Sequence, residues 1–174
     1  MFEHPLPSLF RPLKLARQQG KLKGTMPLKM LPTLVADCVD DSGELKADLQ
    51  LDMQGRWPMM SGTVDATVKM TCQRCLEAVD VPLQANIALG FSQSEEALEE
   101  LPESLEPYLL EEEEIPLADV LEQELILALP IVAYHTECQP AAYQQPPETE
   151  AIESEKPNPF KVLEQLKGQV KKSD

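Results

Sequence analysis

The chain has 174 residues, of which 43% are hydrophobic and 26% charged, a composition that supports one folded domain and argues against wholesale disorder. Thirty acidic and fifteen basic side chains give a net charge of −15, so binding along bare nucleic acid would require a local basic patch. Neither a membrane-spanning apolar run nor the charge order of a secretory signal is present, and we therefore expect a cytoplasmic protein without membrane contact.

The charge is distributed unevenly along the chain. Residues 1–31 carry six basic side chains and one acidic one, whereas residues 92–114 carry ten glutamates and no basic side chain. Residues 156–174 are basic again, with five lysines and two acids. Two interpretations are open: an unevenly charged solvated surface, or a protein that meets a basic protein through its acidic middle and RNA phosphates through its basic ends.

The N-terminal segment is predicted to form a short basic helix over residues 8–19. Ser8 is a candidate cap, Pro12 suits only the first turn, and Gly20 can end the helix. The side chains of this region that are candidates for contact with RNA phosphate are Arg11, Lys14, Arg17, Lys21 and Lys23.

Extended segments follow this helix. A short strand is predicted over residues 22–28, and residues 34–40 are interpreted as a further β run in which Cys38 is a small core residue. Trp57 is interpreted as either core packing or an exposed hydrophobic contact. Apolar and polar residues alternate with period two in three runs, 45–53, 64–70 and 83–91. Such alternation places one face on a core and the other in water, and it predicts an antiparallel meander.

The second half of the domain is predicted to contain a loop and a helix. Residues 92–114 are interpreted as a solvated acidic loop with at most one helical turn, and residues 117–129 as an amphipathic helix that Pro130 stops. This helix would cover the apolar face of the sheet. The expected fold class is therefore α+β, with an antiparallel β-meander, open or barrel-like, covered by one central helix.

Domain boundaries follow from a change in composition after Cys138. We expect a single domain over residues 1–138 and a flexible tether, rich in Pro, Glu and Gln, over residues 139–157. Residues 158–174 are predicted to form a short amphipathic helix whose stripe includes Phe160 and Leu163. So short a helix is marginal alone in water and needs a surface, on its own domain or on a partner, and these two alternatives stay open.

Cys72-Gln73-Arg74-Cys75 is the most specific chemical feature of the sequence. Two thiolates with this spacing, at a predicted hairpin tip, can coordinate one tetrahedral metal ion. His135 and Cys138 could supply the other two ligands and complete a Cys3His zinc site. A reduced thiol pair packed at a turn and a redox pair are the alternatives. Arg74 is expected to be held out from the turn, where it contacts RNA phosphate or a partner carboxylate, or forms an ordinary surface salt bridge.

Motifs for catalysis are lacking in the sequence. The two histidines are far apart along the chain, and neither a Gly-rich phosphate loop nor a G-x-S-x-G nucleophile elbow is found. The acidic residues are concentrated where solvent is expected, whereas a general acid or base needs a shielded environment. We therefore do not expect an enzyme or a small-molecule substrate.

Three stretches of the sequence resemble the YceD family, the bacterial and plastid proteins named for accumulation of large-subunit ribosomal RNA. They are the C-x-R-C signature within residues 71–76, the segment EQELILALP at residues 122–130 followed by His135 and Cys138, and the tail KPNPF at residues 156–160 with Leu163, Leu166 and Lys167. The resemblance implies a non-enzymatic factor in the synthesis, processing or stability of 23S ribosomal RNA, without a defined active site.

Two mechanisms are compatible with this resemblance and with the charge pattern. In the first, the protein is an assembly factor that binds pre-50S particles or 23S rRNA through its basic side chains. In the second, it is an acidic escort that masks a basic large-subunit ribosomal protein until delivery. Contact residues are expected to include Arg74, Phe160 and Leu163 in addition to the basic N-terminal side chains.

Overall fold

The computed structural model describes residues 4–140, which belong to the first of two units into which the chain divides after Ala141. The strands of this part are β1 Leu9–Phe10, β2 Lys21–Pro27, β3 Glu44–Gln54, β4 Trp57–Thr71, β5 Ala78–Ser92, β6 Glu106–Leu109 and β7 Ile115–Pro116. The helices are α1 Pro12–Arg17, α2 Pro32–Ala36, α3 Glu95–Leu98 and α4 Leu117–Leu127, with one 3-10 turn at Leu28–Met30. Nearly all of the predicted tether, and the whole helix predicted over residues 158–174 with Phe160 and Leu163, lie outside the described residues.

The main sheet has five strands in the order β2-β3-β4-β5-β6. The first four are neighbours in sequence and pair antiparallel, which confirms the predicted meander and the α+β class. The fifth strand, β6, pairs parallel with β5. The sheet is open, so a barrel-like closure is wrong: within residues 4–140 the outer strands β2 and β6 do not pair with each other. Strands β1 and β7 form a separate two-stranded sheet.

The core lies between one face of the sheet and the helices. In β3 the apolar side chains at every second position are buried, and the intervening polar side chains are exposed, as period-two alternation requires. Leu121 and Leu125 of α4 are fully buried in this core, which confirms α4 as a cover of the sheet. No helix within residues 4–140 has the length and apolar character needed to cross a membrane.

Two segments differ from the sequence-based expectation. Residues 34–40 are not a β run, because Pro32 begins helix α2, and Cys38 follows this helix, half-buried, with its thiol donating to the Leu34 carbonyl at 3.3 Å. Residues 92–114 are not a wholly solvated loop, because they contain α3 and β6 and bury Leu105 and Leu110. Helices and strands of four or five residues are too short for the helical or the strand periodicity of apolar residues to be recognised in the sequence.

The basic N-terminal segment is packed into the domain and is not a free arm. Helix α1 begins at Pro12, buries Pro12 and Ala16 and ends before Gln19, which adopts a left-handed backbone conformation with φ 52°. Ser8 does not cap it, since Arg11 occupies the N-cap position and the Ser8 carbonyl accepts from the Leu117 N–H at 3.0 Å. Consequently the exposed basic side chains of this segment are held on a rigid support.

Glu122 is a buried acidic residue of α4 with a defined structural role. Its Oε1 accepts the backbone N–H of Thr33 at 2.6 Å and that of Leu34 at 3.0 Å, at the N-terminus of α2. The first turn of α2 has no side-chain cap of its own, so the carboxylate from α4 serves as one. Glu122 therefore ties the two helices together.

Replacing Glu122 by alanine should destabilise the domain by about 2–3 kcal/mol, because two N–H groups lose a charged acceptor in a buried place. Urea unfolding followed by circular dichroism measures this loss. Glu124→Ala, two residues later on the same helix and only half-buried, is the matched control and should cost little. Equal losses for the two variants would show that the Glu122 contacts do not stabilise the fold.

Candidate metal centre

Cys72 and Cys75 lie in the loop that joins β4 to β5. The strands end at Thr71 and resume at Ala78, and the loop is closed by hydrogen bonds from Cys72 N–H to the Glu77 carbonyl at 2.8 Å and from Leu76 N–H to the Cys72 carbonyl at 2.9 Å. The turn therefore holds both thiols close together, at the hairpin tip that the sequence predicts.

The segment after α4 returns to this hairpin tip. Gln73 N–H donates to the Ala133 carbonyl at 2.9 Å, and Ala133 is buried together with Cys72 and Val79 in a small apolar cluster separate from the main core. This contact places the chain from Ala133 to Cys138 against the loop, although 59 residues (76–134) separate Cys75 from His135 in the sequence.

Four side chains converge where these two segments meet. The ligand atoms of Cys72, Cys75, His135 and Cys138 all lie within 4.8 Å of one another. The Cys72 and Cys138 Sγ atoms are 3.8 Å apart, and Cys75 Sγ is 3.3 Å from His135 Nδ1. The structure therefore brings together the four residues that the sequence analysis singled out as a candidate metal set.

This arrangement fits the requirements of a tetrahedral metal ion. Zinc bonds of about 2.3 Å to sulfur and about 2.0 Å to nitrogen place tetrahedral ligand atoms about 3.5–3.8 Å apart. Two of the separations here, 3.3 Å between Cys75 Sγ and His135 Nδ1 and 3.8 Å between Cys72 Sγ and Cys138 Sγ, are near these values. Three thiols and one imidazole are a donor set that structural zinc sites use. The cluster could therefore hold a metal ion.

The environment of the thiols favours the ionised ligand at one position. Burial raises the pKa of the Cys72 thiol, but the backbone N–H groups of Cys75, Arg74 and His135 outweigh it and lower that pKa to about 5. The Glu77 N–H lowers the pKa of Cys75, whereas burial and the neighbouring Cys72 and Cys138 sulfurs raise it, with a net increase. Metal binding requires thiolates, and these N–H groups favour the thiolate form of Cys72.

Arg74 is not held out from the turn but lies across the second ligand segment. Its Nε donates to Cys138 Sγ at 2.9 Å, and one terminal nitrogen donates to the carbonyl of His135 at 2.7 Å and, more weakly, to that of Thr136 at 3.4 Å. Acceptance by the Cys138 sulfur raises the pKa of the guanidinium. Arg74 is therefore positioned as an outer support of the cluster.

The remaining basic candidates are exposed at the start of α1, on α1 itself and on the following strand, β2. Lys14 and Arg17 lie one turn apart on α1, and Lys21 and Lys23 occupy alternate, exposed positions of β2. Arg11 forms an ion pair with Glu114 (3.3 Å), and Lys23 pairs with Asp48. We call the five side chains of Arg11, Lys14, Arg17, Lys21 and Lys23 the basic face.

Sequence reasoning missed Arg56, which extends this surface. Arg17, Arg56 and Trp57 line an open cavity of about 540 Å³, with the Arg56 guanidinium carbon 4.5 Å from the centre of the Trp57 ring. Arg56 also pairs with Glu100, and Trp57 is half-buried at the start of β4. The sequence did offer one signal for an exposed turn here, the glycine before Arg56. In the structure this residue, Gly55, has a positive φ of 64° in the turn.

Comparison with known proteins identifies the family. The sequence model described as "Large ribosomal RNA subunit accumulation protein YceD" matches residues 60–167. A protein of that description from Haemophilus influenzae is 33% identical over 171 residues, which cover 93% of this chain and 96% of the relative. No solved structure matches significantly. The family match covers more than half of the chain, and the chain therefore belongs to the YceD family.

Proposed function

We propose that this protein supports the accumulation of large-subunit ribosomal RNA by binding pre-50S particles, without catalysing a reaction. The name of the family and of the Haemophilus influenzae relative points to a factor in ribosome biogenesis. On this proposal the protein acts in the cytoplasm, where ribosomes are assembled, and its direct ligand on the particle is 23S rRNA.

The basic face is the observation that carries this proposal. Its five side chains are exposed at the N-cap of α1, on α1 and on β2; α1 packs on β3 and β4, and β2 is hydrogen-bonded to β3 within the sheet. Cations on a rigid support lose little freedom when they bind phosphate, and each phosphate neutralised releases counterions from the RNA. The rest of the described surface carries a large excess of acid, so phosphate contact is more favourable at the basic face than elsewhere.

Charge reversal tests the basic face. The triple variant Arg11→Glu, Lys14→Glu and Arg17→Glu should bind purified pre-50S particles at least tenfold more weakly, because three phosphate contacts are lost. The salt dependence of binding should also become shallower, by a log–log slope of about 2. A triple reversal at Lys29, Lys46 and Lys69, which changes the net charge equally, is the control and should bind nearly as well as the wild type. Equal losses for both triples would refute a specific basic face.

A second candidate function is an escort for a basic large-subunit ribosomal protein. It is favoured by the sequence from residue 75 to residue 140, which contains sixteen acidic side chains and no Lys or Arg. Such a surface attracts a basic protein and speeds encounter with it. Recovery of one free ribosomal protein, without particles, in a pull-down at moderate salt would favour this function over the first.

A structural zinc ion held by Cys72, Cys75, His135 and Cys138 is part of the proposal. The convergence of four ligand atoms within 4.8 Å supports it. A bound ion would supply a cross-link between the β4–β5 hairpin and the segment after α4, in addition to the hydrogen bonds that already join them. Arg74 would then orient Cys138 from outside the ligand set, and the cluster would have a structural role.

A further inference from the structure

Five exposed apolar side chains lie on the two stretches of chain that supply the candidate metal ligands, residues 127–138 and the β4–β5 loop. Leu127 is the last residue of α4, three others follow this helix, and one is in the β4–β5 loop; we call the five the apolar patch: Leu76, Leu127, Ile131, Val132 and Tyr134. Ile131 is fully exposed, and Leu127 keeps 77% of its surface accessible. Nine large hydrophobic side chains are exposed within residues 4–140, and five of them therefore lie on these two stretches of chain.

The two segments of the patch are held together by the contacts described above. The Gln73–Ala133 backbone hydrogen bond joins the loop to the segment after α4, and Cys75, next to Leu76, approaches His135 to 3.3 Å. Arg74 adds bonds to His135 and Thr136. The patch is thus presented on a supported surface, and a preformed surface binds at lower entropic cost than a flexible one.

Leu76 is an unusual residue for its position. Its backbone adopts a left-handed conformation with φ 65°, which glycine or asparagine accommodates at lower cost, and its side chain is 64% exposed. The Leu76 N–H bond to the Cys72 carbonyl at 2.9 Å offsets part of this backbone cost, but most of the apolar side chain remains in water. An exposed apolar side chain held in this way is a candidate for contact with a partner.

The charges around the patch select the kind of partner. The nearest acidic side chains in sequence are Glu77, Glu124 and Glu137, and residues 75–140 contain no Lys or Arg. The guanidinium of Arg74 is engaged with Cys138 and His135. RNA phosphate would be repelled here, and so would a second copy of the same acidic surface. The basic C-terminal segment of the chain, with a net charge of +3 over residues 156–174, would offset only a small part of this acid.

We infer that the apolar patch binds a segment of a large-subunit protein that presents one or two large apolar side chains flanked by Lys or Arg. This inference rests on the proposed function in one respect, namely that the partner is a protein of the large ribosomal subunit. It assigns protein binding to a surface distinct from the basic face, so the protein would have two separate contacts with its target. The apolar side chains supply affinity, and the acidic surroundings supply selectivity for a basic protein.

Photo-crosslinking from Ile131 tests the inference. The full chain, with p-benzoylphenylalanine in place of Ile131, is mixed with the proteins of 50S subunits freed of rRNA, and in a parallel sample with the rRNA also present. We expect crosslinks to one protein, in a peptide with a large apolar residue beside Lys or Arg. The same probe at Val39, an exposed apolar position in another part of the domain, is the control and should not give this product.

A second measurement fixes the contribution of the patch. Leu127→Ser with Ile131→Ser should weaken binding of the identified protein at least tenfold, while Met30→Ser, an exposed control elsewhere, leaves it unchanged. All three side chains are exposed, so the variants should fold, and Ile131→Ser alone serves as the milder test. Crosslinks to RNA, to a second copy or to the chain's own C-terminal segment would overturn the inference, as would equal yields from Val39 or no product. Particle binding through the basic face is measured separately, so the failure of one proposal is distinguishable from that of the other.

Discussion

Native mass spectrometry of the chain purified under reducing conditions should show one zinc ion per molecule, and Cys72→Ser should abolish it. Cys72 is the fully buried member of the cluster, and its thiolate accepts backbone N–H groups from both segments. A serine hydroxyl does not ionise at neutral pH and cannot replace this ligand. Loss of the ion removes the cross-link between the hairpin and the segment after α4, so the melting temperature should fall by at least about 5 °C.

Cys38→Ser is the matched control for this experiment. Cys38 lies outside the cluster, bonded to the Leu34 carbonyl, so its replacement should leave the zinc content at one ion per chain. A wild-type chain without an ion, after expression in zinc-supplemented medium, would leave a reduced thiol cluster as the correct interpretation. A disulfide that forms between these cysteines on mild oxidation and is lost again on adding a thiol reductant would favour the redox alternative.

The meander could be predicted because its strands are long and each has one solvent-exposed face. Each of β3, β4 and β5 repeats the period-two pattern several times, which fixes the alternation and hence the face of the sheet that is buried. Helix α2 has five residues and β6 has four, too few for either period to stand out. Their conformations depend on tertiary contacts, such as Glu122 at the start of α2, that the sequence does not display.

The candidate ligand set could be proposed from residue type, but its support could not. Cysteine and histidine side chains with short spacings have few other common uses together, so Cys72, Cys75, His135 and Cys138 stand out in the sequence. Arg74 has many uses, and only the folded chain shows that it reaches the sulfur of Cys138. The apolar patch was likewise hidden, because an exposed leucine and a buried one are the same letter in the sequence.

Replacing Arg74 by alanine should lower the affinity for zinc by about 10–100-fold, the usual effect of removing a residue that orients a metal ligand. The guanidinium donates to Cys138 Sγ and to the His135 carbonyl, so it fixes two of the four ligand residues at once. Without it, the Cys138 thiolate loses a cationic neighbour and a charge-assisted hydrogen bond. Competition with a chelator of known affinity measures the change directly.

Comparison with two further variants separates orientation from charge. Arg74→Lys retains the positive charge but not the planar fork that reaches sulfur and carbonyl together, so it should recover only part of the affinity. Gln73→Ala removes the neighbouring side chain, whose bond to the Thr71 carbonyl stays within the loop, and should leave zinc binding unchanged. Full recovery by lysine would mean that Arg74 acts through charge alone. Unchanged zinc affinity in Arg74→Ala would show that its contacts do not support the site, and would return Arg74 to the candidates for direct contact with RNA.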